Sequence, residues 1–516
     1  MVRRLFFGTE RGSTVSKDKT SRETVLSEYI LVIDEGTTST RAITFDRNLK
    51  PVETAQEEVP LSFPRGGWVE QDPEDIWSQT LQVCRTVIEA SGGVEKIAAI
   101  AIANQRETTL VWDRETGKAF GPAIIWQDRR TAPMCEKIIA AGHEKVVRSL
   151  SGLIVDPYFS ATKIRWTLDQ YPEAAKAADE GRAAFGTIDS FLLSRLTGGR
   201  EHLTDVTNAS RTALMDLSAS SWSRKLCEIF DVPWSLLPNI GPSSGDFGQT
   251  DAGLFGRSIP VLAIAGDQQA ALVGQACVKP GEAKITYGTG AFLVANTGED
   301  ILTSQNRLLA TTGYQAQGRT HWALEGSIFN AGTVIKWLRD ELKLISTAAD
   351  SEAMAAELED NGGVYFVPAF TGLGAPHWAP DARGQITGIS RGTRASHIVR
   401  AGLEASVYQT LDLLNAFEQD GCAVNVLRVD GGMANNKWLM QFLADIADRP
   451  VECPAYPEMT ALGVAVLAAG ELGWMTLDDW HSAREVAASF EPSMSASQRE
   501  TLIEGWNKAL KSAINN

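Results

Sequence analysis

No apolar run in this sequence approaches the roughly 18 residues of a membrane-spanning helix, so a helical membrane span is excluded. The six cysteines, Cys84, Cys135, Cys227, Cys277, Cys422 and Cys453, form no Cys-x-x-Cys pair and no dense framework. That excludes a disulfide scaffold and fits reduced thiols in the cytoplasm. The six histidines carry no metal spacing such as His-Glu-x-x-His. Cations are in deficit, with 48 Lys and Arg against 64 Asp and Glu and a formal net charge of −16. No basic stripe offers counterion release, so nucleic acid is excluded as a partner. An acidic chain must instead concentrate its cations where an anionic ligand sits. There is no GxxxxGK[ST] phosphate loop. Gly241-Pro242-Ser243-Ser244-Gly245 fits the GxSxG pattern by its letters, but it lies in a Pro- and Ser-rich stretch with no strand expected before it, which rules out a nucleophile elbow. Residues 1–27, rich in Arg, Ser, Thr and Lys, lack the apolar core of a signal peptide and are expected to form a disordered extension.

A chain of 516 residues is expected to hold two or more domains. Its organising stretch is 30–46, ILVIDEGTTSTRAITFD. Two β-branched apolar runs flank a short polar turn, which predicts a β-hairpin. Gly36 tolerates positive φ, and Thr37, Thr38 and Ser39 leave backbone N–H groups open to an anion. The turn therefore reads either as an ordinary surface hairpin or as a phosphate cradle, with Asp34 placed to serve a nucleotide-bound Mg²⁺. A similar pattern returns at 284–297, KITYGTGAFLVANT, around Gly288-Thr289-Gly290. A third glycine-rich strand end follows at 426–436, where Asp430-Gly431-Gly432 leads into a helix.

Between these landmarks the periodicity predicts a strand at 52–57 and a helix that starts with Asp72 as N-cap and Pro73 as first residue, with Trp77, Leu81, Cys84 and Ile88 on one face. The apolar run 97–103 ends in Asn104-Gln105-Arg106-Glu107, and charge at the carboxyl end of a buried strand is where open α/β sheets place ligands. An amphipathic helix is expected over 158–170, with Ile164 and Trp166 in the core, Lys163 and Arg165 in solvent, and Tyr158 just outside. Residues 259–278 predict a buried strand, a Gly-Asp corner and an apolar helix. Asp267 there is either an N-cap or the base that a phosphoryl acceptor would meet. The lobe boundary is expected at 274–280. Val334, Leu338 and Leu342 predict one helical face, and 460–470 a small-residue helix suited to close packing.

Two phosphate-type hairpins half a chain apart, with a Gly-Gly corner, suggest a duplicated βββαβα lobe. This combination resembles the carbohydrate kinases of the actin-like ATPase (ribonuclease H-like) fold, and among them the members that phosphorylate glycerol, over about residues 28–510. The resemblance implies a two-lobed α/β fold, each lobe a mixed sheet flanked by helices, with an N-terminal lobe at 28–275 and a C-terminal lobe at 276–516. It implies ATP and Mg²⁺ as cofactors, glycerol as substrate, and a cytoplasmic homo-oligomer, dimer or tetramer. Residue by residue, it assigns glycerol hydroxyls to Arg106, Glu107, Tyr158, Asp267 and Gln268, aromatic walls to Trp126 and Phe292, and the base to Asp267. Thr37, Thr38, Ser39, Arg41, Gly288 and Thr289 would hold phosphates. Gly332, Lys336, Gly432 and Asn436 would border the nucleotide, and Asp34 and Asp267 would serve the metal. Glu35 departs from the family's usual Gln and is expected to add negative charge beside the phosphates. Lys336 also departs, and reads as a nucleotide contact or a solvated helix lysine. The alternatives are a kinase for another small polyol or sugar, such as erythritol or xylulose, and an actin-like ATPase used as a filament or interaction protein.

Overall fold

The computed structural model describes residues 28–379 and 381–515. The extension expected at 1–27 lies outside them. The first half of the chain builds a five-stranded sheet from β1 (Tyr29–Glu35), β2 (Ser39–Phe45), β3 (Pro51–Glu58), β4 (Ile97–Asn104) and β5 (Val261–Gly266), with α1 (Pro73–Ala90) between β3 and β4, α2 (Ser160–Gln170) before β5, and α3 (Asp267–Gly274) directly after it. The predicted hairpin is β1–β2, paired antiparallel so that Asp34 faces Arg41 and Glu35 faces Thr40. The predicted helix start is also present, with the Asp72 carboxylate accepting from the Glu74 N–H at 2.8 Å.

The second half repeats the design. Its principal elements are β6 (Glu282–Tyr287), β7 (Ala291–Gly298), β8 (Leu309–Ala316), β9 (Arg319–Ile328), α4 (Gly332–Asp340), α5 (Ala395–Gln419), β10 (Val426–Asp430), α6 (Lys437–Ala447), β11 (Val451–Pro454), α7 (Met459–Glu471) and β12 (Val486–Phe490). The sheet orders are β5-β4-β1-β2-β3 and β12-β11-β10-β6-β7-β9-β8. Within them, β11-β10-β6-β7-β9 has the same sequence of parallel and antiparallel neighbours as β5-β4-β1-β2-β3. This is the two-lobed α/β architecture that the paired hairpins imply.

The halves are cross-braced. Helix α3, which follows β5, packs against β7 and β8 of the second sheet, whereas α7 packs on β1, β4 and β5 of the first. The two helices meet so closely that a Cβ added at Gly463 would come 1.8 Å from the Ala270 carbonyl oxygen, and one at Gly274 would come 2.0 Å from that of Met459. The small-residue pattern of 460–470 therefore serves helix–helix contact as well as sheet contact.

The two-residue period of β1 decides what reaches the interlobe side. Leu31 and Ile33 belong to the core under α1, while Ile30 and Val32 pack with α3 and α7. Asp34 thus continues the interlobe face and Glu35 the α1 face. The expectation that Glu35 lies beside the phosphates is corrected: Glu35 is 0% exposed, and its carboxyl accepts from Thr80 Oγ1 at 3.3 Å. Burial, the largest influence, pushes its pKa up to about 8, so it is mostly uncharged near neutral pH.

Three further local readings change. Lys163 is fully buried rather than solvated. Leu342 lies beyond the end of α4 and is 40% exposed. A short strand, Asn239–Gly241, does precede the GxSxG letters, but the Ser243 hydroxyl is buried and donates to Asp205 Oδ2 at 2.8 Å, so it is a structural group.

Candidate active site

The carboxyl end of β4 runs directly into Arg106 and Glu107, both buried at 3% and 1% exposure. Glu107 takes φ 59°, a left-handed conformation costing a non-glycine residue about 1–2 kcal/mol. Three donors hold its carbonyl in place: Thr109 Oγ1 at 2.9 Å, Ser160 Oγ at 3.0 Å and Lys163 Nζ at 3.2 Å. Lys163 also donates to the Tyr158 carbonyl at 2.9 Å. Burial lowers the pKa of its ammonium to about 8. One buried cation on α2 therefore fixes the backbone of two expected substrate contacts. Strain persists where surrounding contacts over-determine it, and functional sites are where it concentrates.

Arg106 is the hub. Its Nε lies 3.2 Å from Asp267 Oδ1, and its Nη2 donates to the Tyr158 hydroxyl at 3.4 Å. Asp267 is the first residue of α3, with Gly266 at the N-cap, so the N-cap reading moves by one position. Its Oδ1 also accepts from the Gln268 N–H at 2.7 Å, and its side chain keeps 31% exposure. A carboxylate at a helix N-terminus, held by a guanidinium and a backbone N–H and partly open to solvent, is fixed in place yet reachable by a ligand. Gln268 follows in the chain, and its Oε1 accepts from the buried Lys284 ammonium, which also donates to Thr286 Oγ1 at 2.9 Å.

Trp126 stacks edge-on with Tyr158 at 5.8 Å between centroids and with Phe292 of β7 at 6.1 Å. The two expected aromatic walls thus come from different lobes and meet. Trp126 Nε1 donates to Thr37 Oγ1 at 2.9 Å, which joins the wall to the turn of the first hairpin. Thr38 at that turn is exposed, and Ser39 opens β2 half-buried. Arg41 is committed to a partner: Nη1 pairs with Glu458 at the start of α7, and Nε donates to Gln56 at 2.8 Å. Asp34 has its pKa raised to about 7, by burial first and then by Glu458 and Asp267, against the pull of Arg41.

The remaining expected residues gather at the second hairpin. Gly288 and Thr289 are exposed, and their carbonyls accept from the Gly332 and Thr333 N–H groups at 3.0 and 3.1 Å, so α4 starts on the hairpin turn. Gly431 has φ 90°, and a Cβ there would come 2.3 Å from the Tyr287 carbonyl oxygen. Only glycine fits that corner. Gly432 has open space around it. Asn436 caps α6, accepting from the Leu439 N–H at 2.9 Å. Lys336 is exposed on α4.

Sequence reading missed Glu325, Arg211, Gln269 and Lys284, all fully buried in the site. Glu325 and Lys284 carried a usable signal, a lone charge inside an apolar strand (WALEGSI and EAKITY). Arg211 had none, because its neighbours in the chain are ordinary loop residues.

Residues 29–274 match the N-terminal domain of the FGGY family of carbohydrate kinases, and residues 283–471 match its C-terminal domain. The chain is 52% identical over 492 residues to glycerol kinase 1 of Pseudomonas aeruginosa, covering 94% of this chain and 99% of that one. It is 53% identical over 493 residues to a glycerol kinase of Ectopseudomonas mendocina, again covering 94% and 99%. Among solved structures, Plasmodium falciparum glycerol kinase with ADP superimposes with a TM-score of 0.90 at 38% identity, covering 94% of this chain and 98% of that one.

Proposed function

The chain belongs to the FGGY family of carbohydrate kinases, and from that premise we propose that it transfers the γ-phosphoryl group of ATP to glycerol, giving sn-glycerol 3-phosphate and ADP. The observation that carries this reading is the convergence of Asp267, Arg106, Glu107 and Tyr158 under the Trp126–Phe292 wall, beside Thr37 of the first hairpin. Glycerol presents hydroxyls that both donate and accept and a C–H side that does neither. Charged groups facing a flat aromatic wall suit both.

In this reading a glycerol hydroxyl is oriented by Arg106, Glu107 and Tyr158 with its proton toward Asp267. The hydroxyl oxygen forms a bond to the γ-phosphorus, the bond to the β-phosphate oxygen breaks, ADP leaves, and Asp267 keeps the proton. Little covalent chemistry falls to the protein, so positioning and charge neutralisation carry the rate. Thr37, Thr38, Ser39, Gly288 and Thr289 offer backbone N–H groups and hydroxyls to the phosphates. Arg41 adds a cation, and its pairing with Glu458 aims it from the start of α7. Gly332, Gly432 and Asn436 border the nucleotide. Lys336, exposed one turn into α4, is assigned as a solvated lysine.

Mg²⁺ suits the carboxylates of Asp34 and Asp267. They interact electrostatically at a site where burial, against the pull of Arg41, holds Asp34 at about 7, and hard oxygen donors with room for water and phosphate are its usual set. When bound, it would neutralise charge on the phosphates. No helix among the described residues is long and apolar enough to cross a membrane, and all six cysteines are unpaired and buried. A cytoplasmic homo-oligomer, dimer or tetramer, with lobes divided near 275, completes the proposal.

The test is ADP release from Mg-ATP with glycerol, erythritol, dihydroxyacetone, xylulose and gluconate. Preference for glycerol is expected, with turnover falling at least 10³-fold in Asp267→Asn, roughly the scale of a lost general base with its positioning role, while ATP still binds. Faster turnover of another polyol would overturn the substrate assignment, and near-normal turnover of Asp267→Asn would remove Asp267 as base.

A further inference from the structure

Arg106 and Glu107 follow β4 of the first sheet, yet the groups that fix their side chains come from elsewhere. Glu325 lies on β9 of the second sheet and is 0% exposed. It accepts from Arg106 through Nη1 at 2.5 Å and Nη2 at 3.1 Å, and from Arg211 Nη2 at 2.9 Å. Arg211, also 0% exposed, donates from Nε to Glu107 Oε1 at 2.6 Å, and Glu107 Oε1 lies 3.9 Å from Arg106 Nε. The four side chains close a ring of two guanidiniums and two carboxylates. Arg106 Nη1 additionally donates to Gln269 at 3.2 Å.

We propose that Glu325 and Arg211 are positioning residues for the glycerol seat: Glu325 locks the Arg106 guanidinium from the second lobe, and Arg211 orients the Glu107 carboxylate. The assignment rests on the glycerol-phosphorylating reading and deepens it. Neither residue needs to touch glycerol or nucleotide. The physical ground is charge balance in a medium of low polarity. Each guanidinium in the ring is neutralised by carboxylates fixed in position, and removing one partner leaves an uncompensated buried charge. Without the Glu325 charge, Arg106 and Arg211 face each other with Glu107 alone between them. Both guanidiniums then compete for Glu107, and Arg106 pulls harder on Asp267, the two carboxylates that glycerol and the proton transfer require. Both Nη atoms of Arg106 are engaged by Glu325, so its fork is held in one plane and its Nε is aimed at Asp267.

The ring also ties the seat to lobe contact. Glu325 reaches Arg106 only where the second sheet is docked on the first, so glycerol affinity reports on the interlobe arrangement, whereas adenosine binding at the Gly431–Gly432 corner does not.

The experiment compares wild type, Glu325→Gln and Glu325→Asp in steady-state kinetics with each substrate varied in turn, and measures glycerol binding alone by calorimetry. The expected result for Glu325→Gln is a glycerol KM and Kd raised roughly 10- to 100-fold, the scale of losing a charged hydrogen-bond partner, with the KM for ATP unchanged within about twofold. Glu325→Asp keeps the charge but cannot span both guanidiniums, so it should recover part of the glycerol affinity. Parallel rises in both KM values, or an unchanged glycerol KM, would overturn the proposal. If Glu325→Gln fails to fold, Glu325→Asp decides between the same two outcomes. Failure of the substrate reading is separable, because the wild-type enzyme would then turn over another polyol faster than glycerol, whatever the Glu325 variants do.

Discussion

Replacing Glu35 by Gln is expected to stabilise the fold at neutral and higher pH and to leave nucleotide affinity alone. Glu35 sits under α1 with no exposure. One carboxyl oxygen accepts from Thr80, and the other has no hydrogen-bond partner among the described residues. Burial raises its pKa from 4.5 to about 8. A carboxyl raised on folding binds its proton more tightly in the folded chain, so its contribution is fully present below pH 4.5 and is lost as pH rises toward 8. With one pKa unit worth ~1.36 kcal/mol, the cost of the native glutamate grows from under ~1 kcal/mol at pH 5 to ~3 kcal/mol at pH 7. Glutamine has nearly the same shape and no ionisation to suppress. Unfolding in urea at pH 5, 7 and 8.5 should therefore show the two proteins nearly equal at the lowest pH and Glu35→Gln increasingly more stable above it. Parallel pH profiles, or a glutamine variant weaker at pH 8.5, would refute the reasoning. Calorimetry with ATP should find affinities within about twofold, since a neutral group on the far face of β1 contributes little field at the phosphates.

Lys163→Met should destabilise the protein by about 1–3 kcal/mol, because the Glu107 and Tyr158 carbonyls lose a buried donor, and should raise the glycerol KM more than the ATP KM; equal effects on both would leave Lys163 a purely structural residue. Gly463→Ala should cost about 3 kcal/mol or more by thermal unfolding, since a methyl group at 1.8 Å from the Ala270 carbonyl oxygen forces α3 and α7 apart. A neutral Gly463→Ala would mean that the two helices separate freely.

Much of the fold was legible because its signals are local. Alternating apolar residues around a Gly-Thr turn specify a hairpin wherever they occur, Asp72-Pro73 specifies a helix start, and finding the hairpin twice half a chain apart implies the doubled sheet. Arg106 and Glu107 were legible for a related reason: charge at the end of an apolar strand has few structural uses. Lys163 was misread because helical periodicity reports which face a residue occupies but not what covers that face. On α2 the polar-looking face is covered by the Glu107 loop, whose carbonyl needs a donor.

The sequence by itself pointed to the two hairpins, the helix start at Asp72-Pro73 and the charged strand end at Arg106-Glu107. Only the tertiary structure decided which side chains share a site and in what state. The two-residue period of β1 sends Asp34 toward the interlobe side and Glu35 into an apolar core that raises its pKa to about 8. Residues 114 positions apart, Arg211 and Glu325, meet at 2.9 Å. Neither outcome has a local signature, because burial and pairing depend on what the rest of the chain packs against a residue, and that is settled only when the two sheets and the crossed helices α3 and α7 come together.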